Sequence, residues 1–221
     1  AVAVAFAQSA PIPNAAPSPA AATVQIPPAP TPTGAASWLI MDYSNGQVLA
    51  SQNPDQRLEP ASITKVMTSY VVAAELKAGK IKRTDQVLIS ENAWRGGGGG
   101  TDGSTSFLPL NSTVSLDELE RGMIIQSGND AAIALAEHVA GSEQAFTDLM
   151  NNYAKKIGMN NSHFVNPHGL SAPEHYSTAR DLALLGRAMI RDFPETYAYN
   201  KIRDYTVNGI LQHNRNGLLW K

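Results

Sequence analysis

The sequence predicts an α+β fold in which an antiparallel sheet packs against a helical subdomain. Two apolar runs around residue 40 flank a turn signal, the middle of the chain shows helical periodicity, and a strand-like segment lies near residue 206. Strands are thus expected towards both chain ends, with helices between them, so we expect one sheet to which both ends contribute. Only about three strands are convincing, and we expect further C-terminal strands beyond Lys221.

The first predicted element is a β-hairpin. Apolar runs at residues 38–41 and 47–50 flank Asn45-Gly46. This dipeptide is typical of tight turns between antiparallel strands. We therefore expect a two-stranded hairpin at the start of the folded domain.

A helix is predicted after Pro60, because apolar residues recur with helical period from residue 63 to residue 79. Ser62, Lys65 and Ser69 form a polar stripe beside that apolar face. We expect these three side chains at the rim of the core, where a cleft can reach them.

Caps and composition predict four further helices. Ser115 and Glu118 form a capping box, and Gly141 and Gly158 are helix stop signals. The predicted helices span residues 116–126, 130–140, 143–157 and 178–190, followed by a short strand at residues 205–207.

The first 35 residues differ in composition from the rest. Residues 1–7 are an apolar run ending in Ala-Phe-Ala, typical of the end of a secretory signal; an alanine-rich tail is the alternative. Residues 8–35 are uncharged and rich in proline and alanine, which predicts a disordered linker. The folded domain is then predicted to span residues 36–221.

Composition excludes several classes of function. The chain has no cysteine, which excludes disulfides, thiol catalysis and thiolate metal sites. A net charge of -2 argues against a general nucleic-acid binder. The spacing of His163, His168 and His175 matches no metal-binding pattern, so we expect no metal or other cofactor.

A glycine-rich stretch satisfies a nucleotide-binding pattern at residues 98–103. No convincing strand leads into it, and Pro109 interrupts the helix that should follow. We interpret residues 95–106 as a flexible loop instead.

Two short motifs carry the chemistry. Ser62 and Lys65 are three residues apart at the start of a predicted helix, so they share one side of a helical turn and suit a nucleophile and its base. A helix cap beside a surface lysine is the alternative. The second motif, Ser127-Gly128-Asn129, lies in a predicted loop between helices, where a plain turn is the alternative.

Together these motifs resemble the serine DD-peptidases, the low-molecular-weight penicillin-binding proteins, which use S-x-x-K, S-x-N and K-T-G motifs. Five blocks are similar to the D-alanyl-D-alanine carboxypeptidases of the penicillin-binding protein 5 and 6 type, at residues 60–70, 125–131, 168–170, 177–181 and 214–220. No K-T-G occurs; the nearest string, Lys77-Ala78-Gly79, lies at the end of the nucleophile helix. In the family, the K-T-G strand follows shortly after the last of these blocks, so we expect the domain to be truncated before it.

The resemblance implies a β-lactamase/DD-peptidase-like fold and a serine carboxypeptidase. It would remove the terminal D-alanine from peptidoglycan stem pentapeptides ending in D-Ala-D-Ala, through an acyl-enzyme on Ser62. Lys65 would be the base, which requires its pKa to fall by roughly three units from about 10.4, through burial beside positive charge. Ser127 would relay a proton to the departing amine.

The resemblance also implies the substrate-binding residues. Asn129 would hold the substrate amide, and Arg215 would bind its terminal carboxylate. His168 would have a structural or substrate-side role, with a merely hydrogen-bonded histidine as the alternative. Penicillins would acylate Ser62 as covalent inhibitors, because they present a reactive amide and a carboxylate in similar positions.

Location and alternatives follow from the same resemblance. We expect export to the periplasm, with inner-membrane attachment through a C-terminal segment that the sequence does not contain. We also expect little turnover from these 221 residues. The alternatives are a non-catalytic scaffold with the penicillin-binding fold and, less favoured, a class A β-lactamase, whose E-x-x-L-N string is absent.

Overall fold

The computed structural model describes residues 34–97 and 103–221. The predicted signal segment at residues 1–7, and residues 8–33 of the predicted linker, lie outside the described residues. Residues 98–102, which carry most of the glycine-rich pattern, lie outside them as well.

The described residues form helices and short strands in an order that confirms the α+β prediction. The strands are β1 (Trp38–Met41), β2 (Val48–Gln52), β3 (Gln86–Leu88), β4 (Thr113–Ser115), β5 (Asp204–Val207) and β6 (Ile210–His213). The helices are α1 (Thr64–Lys77), α2 (Glu91–Gly96), α3 (Leu116–Gln126), α4 (Asn129–Ala140), α5 (Glu143–Ile157), α6 (Ala179–Asp192) and α7 (Pro194–Tyr197). Short 3-10 turns span Ala61–Ile63, Ala198–Lys201 and Gly217–Trp220.

The strands pair as three separate antiparallel hairpins, β1-β2, β3-β4 and β5-β6. The prediction that strands from both chain ends share one sheet is therefore wrong for the described residues. The reason is that each terminal hairpin packs against a different helix. The Tyr205 hydroxyl of β5 donates to the Glu118 carbonyl of α3 at 3.0 Å, whereas Arg187 of α6 donates to the Tyr43 carbonyl in the β1-β2 turn at 2.8 Å.

Helix α1 lies at the centre of the domain and contacts α3, α4, α5 and α6. Because neighbours surround it, it is buried on nearly every side, so the predicted division into an apolar face and a polar rim is wrong. A cavity does reach Ser62, Lys65 and Ser69, as expected. Lys65 and Ser69 are buried, whereas Ile63 and Val66 are 52% and 36% exposed. A lysine buried at the centre of a domain needs polar partners.

The predicted helix ends are confirmed by their caps. Ser115 and Glu118 form the complete capping box of α3. Gly141 and Gly158 end α4 and α5 with φ of +82° and +94°, which glycine adopts without steric cost. The Thr178 side chain accepts the Asp181 N–H at 3.1 Å at the start of α6. A cap of this kind contributes about 1 kcal/mol to stability.

Four features were not predicted from the sequence, namely α2, the β3-β4 hairpin, α7 and β6. Strands β3 and β4 have three residues each, which is too short for an alternating pattern to be distinctive. Helix α2 has six residues and is capped by the Ser90 side chain, which accepts the Ala93 N–H at 3.0 Å. No helix among residues 34–97 and 103–221 has the length and apolar character needed to cross a membrane.

Candidate active site

Ser62 and Lys65 lie on one continuous helical turn. Ser62 belongs to the 3-10 turn Ala61–Ile63, which runs directly into α1, and Lys65 is the second residue of α1. This spacing places the Lys65 amine nitrogen Nζ 3.3 Å from the Ser62 hydroxyl oxygen. Ser62 is exposed to solvent while Lys65 is only 5% exposed. A substrate can therefore reach the serine from outside, with the lysine behind it.

The turn that carries Ser62 is held in a strained conformation. Ala61 has a φ of +46°, which is uncommon for a residue other than glycine and costs about 1–3 kcal/mol. Gly169 lies against it so closely that a β-carbon at position 169 would be 1.9 Å from the Ala61 carbonyl oxygen. The loop that contains Gly169 thus packs directly on the residue before the nucleophile.

Lys65 has three polar neighbours. Its Nζ lies 2.7 Å from the Asn129 side-chain oxygen Oδ1 and 2.7 Å from the His168 backbone carbonyl oxygen, in addition to Ser62. The ammonium form can donate to all three. The neutral amine has only two N–H bonds, which the two oxygens at 2.7 Å can accept, and its lone pair is then left for the Ser62 hydroxyl. The geometry fits the free base.

The surroundings also favour the free base. Burial is the main cause that lowers the pKa of Lys65 to about 8, and the nearby positive charge of Arg215 lowers it further, while the Asp130 carboxylate acts in the opposite direction. With this pKa, roughly one tenth of Lys65 is neutral at pH 7, against less than about one thousandth for an ordinary lysine.

Ser127 is placed by the end of helix α3. It is the C-terminal cap of that helix and has left-handed backbone geometry with a φ of +60°. Within the described part of the chain its hydroxyl oxygen is buried and has no hydrogen-bond partner. A buried hydroxyl that is not engaged elsewhere is free to take up or pass on a proton.

Ser62, Lys65 and Ser127 line one cavity of about 360 Å³. This volume is within the range of small-molecule sites. The rest of the wall is mainly apolar and comes from α1, α3, α6, α7 and the turn Ala198–Lys201; its residues are Val66, Ser69, Met123, Ile124, Gly186, Met189, Ile190, Tyr197 and Asn200. The structure therefore brings the three residues expected to carry the chemistry to one surface.

Asn129, His168 and Arg215, which are expected to bind substrate, are not among the residues that line the cavity, although the first two contact Lys65. Asn129 begins α4, is 2% exposed and contacts Lys65. Arg215 does not line the cavity; its guanidinium donates to the Ser104 hydroxyl, and its backbone N–H donates to the Ile125 carbonyl at 3.4 Å.

His168 meets the site through its backbone rather than its ring. Its carbonyl oxygen accepts from Lys65, while the ring Nδ1 accepts the Leu170 N–H at 3.1 Å. Burial, with a contribution from the charge of Lys65, lowers the pKa of His168 to about 4, so the imidazole is neutral near pH 7. The histidine ring carries no positive charge towards the cavity at that pH.

The buried side chains of Thr64 and His175 form a hydrogen bond that the sequence did not indicate, and it helps to fix the loop that carries His168. The His175 ring Nδ1 accepts the Val165 N–H at 3.1 Å, which leaves the proton on Nε2 to be donated to the Thr64 hydroxyl at 2.9 Å. The Thr68 hydroxyl donates to the Pro167 carbonyl at 2.6 Å. These contacts join α1 to residues about 100 positions away, and no short motif indicates them.

The chain is similar to known D-alanyl-D-alanine carboxypeptidases. A family model described as Peptidase S11, D-alanyl-D-alanine carboxypeptidase, matches residues 23–221. The chain is 54% identical over 187 residues to the D-alanyl-D-alanine carboxypeptidase DacC of Escherichia coli K12, covering 84% of this chain and 47% of that protein. It is 50% identical over 186 residues to DacA of Haemophilus influenzae, with the same coverage. The chain thus spans about half the length of the curated relatives it matches.

Solved structures give the same result for the fold. Crystal structures of penicillin binding protein 5 from Haemophilus influenzae match with a TM-score of 0.82 at 50% identity, covering 87% of this chain and 55% of that one. Penicillin binding protein 6B from Escherichia coli matches with a TM-score of 0.82 at 44% identity, covering 88% and 62%. The predicted DD-peptidase-like fold is confirmed.

Proposed function

Because the chain belongs to the Peptidase S11 family of D-alanyl-D-alanine carboxypeptidases, we propose that it supplies the nucleophile and base of a serine carboxypeptidase. The substrate would be a peptidoglycan stem pentapeptide ending in D-Ala-D-Ala. The observation that supports this most strongly is the position of the Lys65 amine, 3.3 Å from the Ser62 hydroxyl and 2.7 Å from each of two acceptor oxygens.

Acylation begins when the Ser62 oxygen attacks the carbonyl carbon between the two D-alanines. Lys65 takes the hydroxyl proton, a new C–O bond forms, and the developing oxyanion is stabilised by the Ser62 backbone N–H. The C–N bond then breaks, and Ser127 relays the proton from Lys65 to the departing amine, which returns Lys65 to its neutral form. Water hydrolyses the resulting ester, which releases the shortened peptide and restores the Ser62 hydroxyl.

The substrate-binding roles are part of the same proposal. Asn129 orients the substrate amide, and Arg215 binds the terminal carboxylate of the substrate by charge-assisted hydrogen bonds. His168 supports the site through its carbonyl contact with Lys65. No cofactor enters any of these steps.

Binding of penicillins follows from the same chemistry. The β-lactam presents a strained amide to Ser62 and a carboxylate to Arg215, so a stable acyl-enzyme should form. We place this activity in the periplasm on the basis of the predicted signal segment at residues 1–7. Peripheral attachment to the inner membrane is a separate proposal that rests on the family resemblance alone.

Labelling with a fluorescent penicillin tests the proposal. The product of the intact coding sequence should become covalently labelled, and peptide mapping should place the label on Ser62. The variant S62A should give no label, whereas S69A, which removes another hydroxyl of the same cavity, should label normally. Absence of label on Ser62 in the folded protein would favour the non-catalytic scaffold instead.

A further inference from the structure

We propose that Asp130 is a positioning residue for the acylation reaction, a role that rests on the proposed function. Its buried carboxylate ties residues 104–108 to the start of α4, and in this way it holds Asn129 and Arg215 in place. Asp130 directly follows the S-G-N motif in sequence, and nothing in the motif itself indicates this role.

The carboxylate of Asp130 is almost completely enclosed and well supplied with donors. The residue is 2% exposed. Its oxygens accept the backbone N–H of Ser106 at 2.9 and 3.0 Å, that of Leu108 at 3.2 Å and that of Ala131 at 2.9 Å, together with the Thr105 hydroxyl at 2.9 Å. An ionised carboxylate only accepts hydrogen bonds, so four donor groups match it. Its position near the N-terminus of α4 is also favourable for negative charge.

The segment that Asp130 holds is connected to the site at two further points. The backbone N–H of Asn129 donates to the Ser104 carbonyl at 2.8 Å, and the Arg215 guanidinium donates to the Ser104 hydroxyl. Asn129 in turn contacts Lys65. If residues 104–108 moved, the residue beside the base and the residue expected to bind the substrate carboxylate would both lose a partner.

Close packing leaves the Asp130 side chain little freedom. A β-carbon at Gly128 would lie 2.1 Å from the Ser106 hydroxyl oxygen and 2.7 Å from the Asp130 oxygen Oδ1. A β-carbon at Gly97 would lie 2.1 Å from the Asp130 β-carbon. All three contacts are shorter than real side chains tolerate, so positions 97 and 128 accept only glycine without rearrangement. The central glycine of the S-G-N motif therefore permits the contact between Asp130 and residues 104–108.

The negative charge of Asp130 affects the pKa of Lys65, so its removal should change the pH dependence of the reaction as well as its rate. The charged or titratable groups that influence Lys65 or are influenced by it are Arg215, Asp130 and His168. Among them Asp130 raises the pKa of Lys65, which opposes formation of the free base. Removing this charge should therefore make Lys65 a base at lower pH, while loss of positioning should slow the reaction at every pH.

The test is the pH dependence of penicillin acylation for D130N in the product of the intact coding sequence. We expect the maximal rate at alkaline pH to fall at least tenfold and the midpoint of the acid limb to move to lower pH. The matched control is D181N. Asp181 is also buried and accepts the Asn161 N–H at 2.8 Å and the Ser162 hydroxyl at 2.7 Å, but it lies outside the site. Its pH profile should equal that of the unsubstituted protein.

A second variant covers the case in which D130N does not fold. T105V removes one of the four donors to Asp130 from a half-buried position. A threefold or larger decrease in the maximal rate supports the proposal, and an unchanged rate overturns it. A folded D130N with an unchanged maximal rate overturns it as well.

Chemical labelling separates this inference from the proposed function. The reaction of Lys65 with an amine-specific reagent, followed across pH by peptide mapping, needs no catalytic turnover and can be measured on the 221-residue chain. D130N should lower the pH midpoint of Lys65 labelling, and D181N should not. If penicillin fails to label the unsubstituted protein, the proposed function fails, while an unshifted Lys65 midpoint would still contradict the electrostatic part of the inference.

Discussion

At the scale of single residues, the chemistry depends on how Lys65 is surrounded. A solvated lysine holds its proton at neutral pH, but burial lowers the pKa of Lys65 to about 8. Two oxygen acceptors at 2.7 Å compensate for part of the lost hydration. The side chain is therefore stable in the interior while remaining a usable base.

The pH dependence of acylation should report this pKa. Below a pH of about 8 Lys65 is mainly protonated and cannot accept the Ser62 proton, so the acylation rate should rise with pH and level off above 8. K65R should lower the maximal rate at least about a hundredfold, because a guanidinium does not deprotonate in this range. The measurement is the rate of labelling by a fluorescent penicillin from pH 5 to pH 10.

Lys77 provides the control for this prediction. It lies on the same helix but is exposed, so K77R should leave the profile unchanged. A profile that is flat between pH 5 and pH 10 in the unsubstituted protein would contradict the role of Lys65 as the base.

Gly169 is a second residue whose environment gives a sharp prediction. Its φ is +90°, and an added β-carbon would meet the Ala61 carbonyl oxygen at 1.9 Å. G169A should lower the free energy of unfolding by about 3 kcal/mol, from backbone strain and overpacking together. It should also slow acylation, because Ala61 precedes the nucleophile. Urea unfolding and penicillin labelling measure the two effects.

Gly158 separates strain from steric contact. It has a similar φ of +94°, but among residues 34–97 and 103–221 no atom other than those of its chain neighbours lies within 4 Å of an added β-carbon. G158A should therefore lower the free energy of unfolding by only about 1 kcal/mol and leave the rate of acylation unchanged. If G169A and G158A lowered the free energy of unfolding equally, contact with Ala61 would be unimportant for stability.

At the scale of elements, a partly buried ionic cluster joins α3 to the segment after α6. Arg83 forms an ion pair with Glu120 of α3 and donates to the Tyr199 hydroxyl and the Thr196 hydroxyl, each at 3.0 Å. Thr196 belongs to α7, and Tyr199 to the following 3-10 turn. This segment also supplies Tyr197 and Asn200 to the cavity wall, so the cluster supports one side of the site.

Glu120 should make stability depend on pH. Burial raises its pKa to about 7 despite the nearby Arg83. Between pH 4.5 and 7 the folded protein therefore binds a proton that the unfolded chain has lost, and stability contributed by this group falls as pH rises. E120Q removes the titration of this side chain. Between pH 5 and pH 8 the free energy of unfolding of E120Q should therefore rise by about 2 kcal/mol relative to that of the unsubstituted protein. Urea unfolding at the two pH values gives the difference.

The neighbouring Glu118 supplies the control. It is exposed, and glutamine can replace it in the capping box of α3. E118Q should therefore leave the pH dependence of stability unchanged. If E120Q also leaves it unchanged, Glu120 is ionised across this range and the cluster behaves as an ordinary ion pair.

At the scale of the whole molecule, the cavity is assembled from distant parts of the chain. Ser62 and Lys65 come from the first third of the sequence, Ser127 from the middle, and Met189 and Tyr197 from the last part. The central position of α1 makes this possible, since α3 and α6 both contact it. The K-T-G motif of the family is absent from these 221 residues.

Turnover by the 221-residue chain tests the importance of that motif. Without its lysine and strand, we expect release of D-alanine from a D-Ala-D-Ala pentapeptide at less than about a hundredth of the rate of the Escherichia coli DacC relative. The measurement is an enzymatic assay of free D-alanine, with the S62A variant as the background. A rate comparable with that of the relative would show that these 221 residues suffice for catalysis.

The sequence alone determined the parts of this protein that depend on local chemistry. The Asn-Gly hairpin, the Ser115–Glu118 capping box and the glycines that end α4 and α5 are short-range features, and the structure contains each of them. The Ser62–Lys65 spacing is local as well, since one helical turn places both residues on the same side. Sequence also indicated the family, because its motifs occur in a fixed order.

Only the tertiary structure decided what surrounds these motifs. The burial of Lys65, its contact with the His168 carbonyl and the enclosure of Asp130 arise from packing between residues that are distant in sequence. The separation of the hairpins had the same origin, because β5 packs on α3 rather than joining β1. Local patterns specify which residues can react, whereas pKa values and hydrogen-bond partners depend on long-range packing that no local pattern records.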